Sequence, residues 1–240
     1  MAGIFNRSSF LILLAVWGLS IGSASHSWGD PADGTLKGRV VFLGAVSPGK
    51  KFVVKRDPNI CGKTITYQPL LVDETSRGIQ YVVLSLEGID HPRPQHSEEV
   101  VTFTNKDCSF QPRVQGARLG QPLQLINKDP MLHNTHIRFG KRTFVNVAQV
   151  VGGHPILKRI RDVGIMRVNC DKHKFMQGYL LTFDHRYFAV TNKFGEYELP
   201  EVPPGNWTLR IWHQTLGTLK TEVIVSGGQD TVLDMAYPES

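Results

Sequence analysis

Apolar and polar residues alternate with a period of two along most of the chain, and few segments repeat at helical spacing. The stretch YVVLSLEG places Val82, Leu84 and Leu86 on one face. The stretch NWTLRIW shows the same alternation between Trp207 and Ile211. Such alternation is typical of β-strands that bury one face. The pattern predicts an all-β protein made of β-sandwiches.

Residues that favour turns separate the predicted strands. Pro203-Pro204-Gly205 suits a type II turn. The stretch HPRPQH, residues 91–96, is typical of a linker, because no central strand would tolerate its prolines. A weaker boundary lies near residues 184–186. Residues 145–161 lack the alternation, and we expect a long loop or a short helix there.

The first residues have the composition of an export signal. Arg7 precedes the apolar run Phe10–Gly22, and the small residues Ser23, Ala24 and Ser25 follow it. The run is shorter than the roughly 20 residues that a membrane-spanning helix needs. We therefore predict a signal peptide over residues 1–25 and a periplasmic or secreted protein with no membrane span after cleavage.

The formal net charge of +6 is unevenly distributed. Nine lysines and arginines lie between Arg138 and Lys174, against only Asp162 and Asp171. An excess of one sign on one region steers partners of the opposite charge. The alternative is a solvated basic face without a partner. Nucleic acid is a poor candidate, because the predicted compartment lacks it and no binding module is recognisable.

The three cysteines are an odd number for a chain predicted to enter an oxidising compartment. If Cys61 and Cys108 form a disulfide, Cys170 keeps a free thiol. The alternative is that all three are small buried apolar residues.

Cys170 opens CDKHKFM, which spaces a thiol, an imidazole and a thioether at intervals of three through His173 and Met176. A further imidazole is available from DPMLHNTH, which contains His133 and His136. One thiolate, two imidazoles and a distant thioether suit copper that cycles between Cu(I) and Cu(II).

The stretch from about residue 98 to 184 resembles a cupredoxin, the blue-copper domain of plastocyanins and amicyanins. CDKHKFM has the spacing of the short amicyanin loop, C-x-x-H-x-F-M, and His133-Asn134 matches the first ligand and the asparagine after it. The resemblance implies a Greek-key β-sandwich with one type 1 copper site. It also implies that Asn134 holds the two ligand loops together and that the copper ligands are His133, Cys170, His173 and Met176.

The chain departs from that family in two places. Asp171, Lys172 and Lys174 stand where relatives with the short loop usually have prolines and an apolar surface. His136 is extra to the pattern. It leaves open a zinc site of one thiolate and three imidazoles, formed by His133, His136, Cys170 and His173. The thioether of Met176 favours copper, because zinc has little use for it.

Nothing in the sequence indicates catalysis. Multicopper oxidases have a similar loop, but in them histidines flank the cysteine. In this chain Asn169 and Asp171 flank Cys170. No hydrolase elbow, zinc-protease motif or phosphate loop occurs. A nucleophilic Cys170 with a histidine base would be possible chemistry, but it explains fewer of the residues.

The two ends of the chain resemble the carboxypeptidase regulatory-like β-sandwich. The tail, YFAVTNKFGEYELPEVPPGNWTLRIWHQTLGTLKTEVIV, is too short to form that sandwich alone, and the head GTLKGRVVFLGAVSPG resembles its opening strands. We therefore predict a discontinuous sandwich of residues 34–90 and 186–238 with the cupredoxin domain, 96–185, inserted. Two sequential domains are the alternative. His185 and His213, near the ends of predicted strands, could be polar caps or a second metal site.

These observations predict an electron carrier rather than an enzyme. Electrons would pass through the exposed edge of His173 to periplasmic redox proteins such as cytochromes or dehydrogenases. The second hypothesis is a periplasmic module that stores, delivers or is stabilised by copper without redox turnover. A zinc-stabilised sandwich is the third.

Overall fold

The computed structural model describes residues 32–89 and 97–239, which belong to one compact unit. This part of the chain is almost entirely β-structure, which confirms the predicted all-β class. None of its helices is long and apolar enough to cross a membrane. The predicted signal peptide and the linker 91–96 lie outside the described residues.

The structure contains the following elements in these residues. The strands and the one short helix are β1 (Gly34–Phe42), β2 (Lys50–Val53), α1 (Pro58–Cys61), β3 (Thr64–Tyr67), β4 (Val83–Glu87), β5 (Val101–Lys106), β6 (Ser109–Gln111), β7 (Val114–Arg118), β8 (Pro122–Asn127), β9 (His133–Phe139), β10 (Arg142–Gln149), β11 (Ile156–Arg159), β12 (Gly164–Asn169), β13 (Gln177–Phe183), β14 (Phe188–Val190), β15 (Glu196–Val202), β16 (Gly205–His213), β17 (Gly217–Val225), β18 (Asp230–Val232) and β19 (Met235–Tyr237).

Two sheets from the middle of the chain share one core. One has the strand order β10-β9-β12-β13-β7 and the other β11-β8-β5-β6. Phe103 and Leu125 of the second sheet pack in the same apolar cluster as Ile137, Val168 and Leu180 of the first. Period-two alternation explains this arrangement, because it gives each strand one apolar face.

The two ends of the chain form a second core. In one sheet β15 and β18 flank β1, which also pairs with β19, and the other sheet has the order β14-β4-β16-β17. Leu36 and Leu84 from the head pack with Leu199, Leu209 and Val223 from the tail. Head and tail therefore share one apolar cluster. The resemblance of this half to a regulatory-like sandwich, and the division into 34–90, 96–185 and 186–238, stay predictions.

The hairpin of β2 and β3, with α1 between its strands, packs away from the other head strands. Phe52, Val54 and Ile65 contact the core of the two middle sheets. Cys61, at the end of α1, forms a disulfide with Cys108 in the turn between β5 and β6, which confirms the predicted pair. Residues 50–67, called the head hairpin below, are thus covalently attached to the middle of the chain.

The expectation of a long loop or short helix over residues 145–161 was wrong. β10 continues to Gln149, and β11 pairs with β8. The pairing of β10 with β9 shifts register between Thr143 and Val145. In β11 the side chains are mostly exposed, as suits a strand at the edge of its sheet.

Candidate metal centre

Two neighbouring strands of the first middle sheet position the candidate donors. β9 begins at His133, and β12, its antiparallel partner, ends at Asn169 directly before Cys170. The loop that follows closes on itself, since Met176 N–H donates to His173 O (2.9 Å) and Cys170 N–H to Met176 O (3.3 Å). The loop therefore places Cys170 and His173 beside the start of β9.

A cysteine and two histidines form a compact cluster here. The Cys170 Sγ lies 4.0 Å from His133 Nδ1 and 3.6 Å from His173 Nδ1. The donor atoms of all three residues lie within 4.8 Å of one another. Their exposed fractions are 0% for His133, 2% for Cys170 and 1% for His173, and Met176 is 1% exposed. The sequence prediction that these three residues meet is confirmed. Their role as ligands, and that of the Met176 thioether, stays a prediction.

Each histidine turns its other ring nitrogen to a carboxylate. His133 Nε2 lies 2.7 Å from Asp129 Oδ2, and His173 Nε2 lies 3.0 Å from Asp57 Oδ2. Because a carboxylate only accepts hydrogen bonds, each imidazole carries its proton on Nε2. The lone pairs of both Nδ1 atoms are thereby left free beside the Cys170 sulfur, as metal coordination requires.

Asn134 joins the two ligand-bearing segments. Its Oδ1 accepts the Asp171 N–H at 2.7 Å and lies 3.4 Å from the Cys170 sulfur. Its Nδ2 donates to Asn146 Oδ1 at 2.8 Å and to Asp171 Oδ2 at 2.9 Å. These bonds tie the start of β9 to the loop after β12. The binding role that the resemblance implies for Asn134 stays a prediction.

Burial keeps both histidines neutral near neutral pH. It lowers the pKa of His133 and of His173, and the hydrogen bonds to Asp129 and Asp57 only partly oppose it. The hydrogen bond from Lys172, 2.6 Å away, lowers the pKa of Asp57. Two neutral imidazoles and a thiol are therefore available without competition from a second proton on either ring.

His136 lies outside the cluster. Its Nδ1 is 3.0 Å from Asp171 Oδ2 and its Nε2 is 3.0 Å from Thr143 Oγ1. His133 and His136 are three residues apart on β9, and side chains at odd separations point to opposite faces of a strand. The zinc set that needs His136 as a fourth donor is therefore not assembled in this geometry.

The expectation of an exposed His173 edge was wrong, since the ring is buried and Asp57 of the head hairpin covers its outer nitrogen. A groove of about 730 Å³ lies over the loop instead. Its lining includes four cationic side chains, and exposed Val53 and Leu132 add apolar surface. The cations are Lys55, Arg56, Lys172 and Lys174.

The two carboxylates were not identified from the sequence. Asp129 lies four residues before His133, within the stretch DPMLHNTH, so the sequence could have suggested it as a hydrogen-bond partner of that ring. Asp57 is 116 residues from His173, and nothing in the sequence around it indicates the contact.

The donor set fits copper. A thiolate suits Cu(I), imidazoles suit both oxidation states, and Met176 supplies a buried thioether in the same loop. Within residues 32–89 and 97–239, no other group of three or more such donors meets the same distance limit. The suggested second site receives no support, because the ring of His213 accepts hydrogen bonds from the backbone of Thr215 and Leu216.

The chain is similar to several proteins whose structures have been solved. No family model matches the sequence, and no curated protein matches it. Amicyanin from Paracoccus versutus is 13% identical, with a TM-score of 0.32, and the match covers 42% of this chain and 97% of amicyanin. A purple cupredoxin from Nitrosopumilus maritimus is 14% identical, with a TM-score of 0.31, over 35% of this chain and 99% of the cupredoxin.

A copper-containing nitrite reductase from Thermus scotoductus is also similar. It is 18% identical, with a TM-score of 0.33, and the match covers 40% of this chain and 25% of the reductase. At these identities and scores the likenesses assign no function to this chain.

Proposed function

We propose that this chain is an exported mononuclear type 1 copper protein that transfers electrons between periplasmic redox partners. The observation that carries the proposal is the buried Cys170 thiol between the Nδ1 atoms of His133 and His173. Met176 completes the proposed ligand set, as in the cupredoxins that the region resembles. Bound there, copper would supply one-electron redox chemistry.

The residues around the cluster support electron transfer over delivery. All four proposed ligands are buried, and both histidine rings are held on their outer side by carboxylates. Ligands restrained by packing and hydrogen bonds keep similar positions in both oxidation states, which is what a carrier needs. They also slow the exchange of ligands that a delivery protein requires. The sandwich from the two ends of the chain, 34–90 with 186–238, would then serve as a scaffold.

The basic groove is the proposed docking surface for an acidic cytochrome or dehydrogenase. Lys55, Arg56, Lys172 and Lys174 surround the loop, and Asp171 is the one acidic lining residue. Charge of one sign around an apolar contact raises the encounter rate with a partner of opposite charge.

The first test is the visible absorption spectrum of the protein after Cu(II) is added, for wild type, Cys170→Ser and Met176→Gln. We expect an intense orange-red band in wild type, which Cys170→Ser abolishes, because sulfur-to-copper charge transfer produces it. Met176→Gln should keep a shifted band if the thioether is the weak axial ligand. Tight Zn(II) binding without such a band would contradict the proposal.

A second measurement separates a carrier from a delivery module. The carrier should lose copper slowly to a mild chelator and keep its band through repeated oxidation and reduction. Rapid and reversible loss of the metal would favour delivery.

A further inference from the structure

Asp57 brings a side chain from the head of the chain into hydrogen-bond contact with the metal centre. Its Oδ2 lies 3.0 Å from His173 Nε2 and 2.6 Å from Lys172 Nζ. One carboxylate oxygen thus contacts a proposed ligand and the lysine directly before it. The His173 ring is buried, whereas a quarter of the Asp57 side chain is exposed. Asp57 therefore lies between the ring and the solvent.

The backbone holds Asp57 in a defined place. Its φ of 55° and ψ of 42° are left-handed, a conformation that aspartate and asparagine tolerate better than most residues. Its carbonyl oxygen accepts the N–H groups of Ile60 and Cys61, both at 3.0 Å. Cys61 is bonded to Cys108, and the Cys108 N–H donates to Asp129 Oδ2 at 3.0 Å. One disulfide therefore joins the segments that carry both histidine-bound carboxylates.

A carboxylate on Nε2 has three effects on a histidine ligand. It keeps the proton on Nε2, so that Nδ1 can donate to a metal, and it makes that Nδ1 a stronger donor. The negative charge also favours the more positive oxidation state of a metal in the cluster. Lys172 reduces this effect of the negative charge without occupying the ring nitrogen.

We infer that Asp57 is a positioning residue of the metal centre, which fixes the tautomer of His173 and holds the head hairpin over the ring. This inference rests on the proposed function. It assigns part of the copper chemistry to a segment outside the region that resembles a cupredoxin. The head hairpin is then a working part of the site as well as a link to the second core.

The test compares Asp57→Asn, Asp57→Gly and wild type, with Asp162→Asn as the control. Asparagine and glycine both tolerate the left-handed backbone, and asparagine keeps a neutral acceptor. Asp162 has an ion pair with Arg142 and does not contact the cluster. Each full-length protein is titrated with Cu(I) against a competing chelator, and its reduction potential is measured.

We expect Asp57→Asn to keep the Cys170-dependent band, bind copper roughly 10-fold more weakly and have a higher potential. Asp57→Gly should weaken binding further, up to roughly 100-fold. The Asp162→Asn protein should match wild type. If Asp57→Asn matches wild type in both affinity and potential, the inference is overturned. If wild type itself shows no band, the proposed function fails and the inference falls with it.

A second measurement needs no variant and no metal. Long-range nitrogen–proton NMR correlations report which ring nitrogen of a histidine is protonated. In the metal-free wild type, His173 should be protonated on Nε2. Protonation on Nδ1 would contradict the inference even if the Asp57 variants failed to fold.

Discussion

His213 illustrates what burial does to a single titratable side chain. Its ring is fully buried at the end of β16, and its Nε2 has no hydrogen-bond partner in the described residues. Burial lowers the pKa of His213 to about 4, and the positive charge of Arg113 adds to the effect. The ring therefore stays neutral in the folded protein at pH values where an unfolded chain would bind a proton.

Because the pKa of His213 is lower in the folded than in the unfolded state, we predict that the protein loses stability as the pH falls. Between pH 6.5 and about 4 the unfolded state binds more protons at His213, so the free energy of unfolding falls as the pH falls. The contribution is about 3 kcal/mol across that interval and changes little below it. Replacement by asparagine, which can accept the same backbone N–H groups, should flatten the slope.

Urea unfolding of the metal-free protein at several pH values checks this prediction. The control is His154→Asn, which changes an exposed histidine. A slope in His213→Asn equal to that of wild type would show that another group is responsible.

At the scale of single strands, alternation distinguishes the two histidines of β9. His133 faces the cluster and His136 faces Asp171 and Thr143. We therefore expect His133→Gln to abolish the copper band and His136→Gln to keep it. Absorption spectra of the two copper-loaded variants make the comparison. Loss of the band in both would indicate that His136 moves into the site when metal binds.

The Cys61–Cys108 disulfide attaches the head hairpin to the middle sheets. Its two cysteines are 47 residues apart, and closing a loop of that size contributes about 2–4 kcal/mol. The double variant Cys61→Ser/Cys108→Ser should lose that stability in urea unfolding. It should also release copper faster, because Asp57 is then held less firmly over His173. Lower stability with an unchanged release rate would mean that the hairpin stays in place without its tether.

Local patterns account for most of what the sequence predicted. Cys170, His173 and Met176 lie within one seven-residue loop, so their proximity required no knowledge of the fold. The partner His133 followed from the family resemblance. Asp57 could not be found in this way, because its contact depends on how the head hairpin packs on a distant core. The strand β11 was missed because its side chains are mostly exposed, so its sequence lacks the period-two pattern on which strand prediction depends.

At the scale of the whole molecule, cationic side chains from two distant segments meet at one groove. Lys172 and Lys174 come from the basic stretch that the sequence showed, and Lys55 and Arg56 come from the head hairpin. Four other basic residues of the same stretch line a separate groove. Oxidation of the reduced protein by anionic hexacyanoferrate(III) should therefore slow as ionic strength rises, because salt screens the attraction. Stopped-flow measurement over a salt series checks the direction.

Lys174→Glu should lower that rate at low salt more than the matched change Lys193→Glu, whose residue does not line the groove. A cationic cobalt(III) complex as oxidant should respond to salt in the opposite sense. Rates that do not depend on salt would contradict electrostatic steering.

The position of β1 between strands from the far end of the chain has a consequence for synthesis. Thr35 pairs with Asp230 and Phe42 with Tyr237, so β1 leaves the ribosome about 195 residues before those partners exist. The middle sheets, whose strands are close in sequence, can form while β1 is still unpaired. Until β18 and β19 are made, one hydrogen-bonding edge of β1 has no partner strand and can pair with other chains, and this interval is when aggregation competes most strongly with folding.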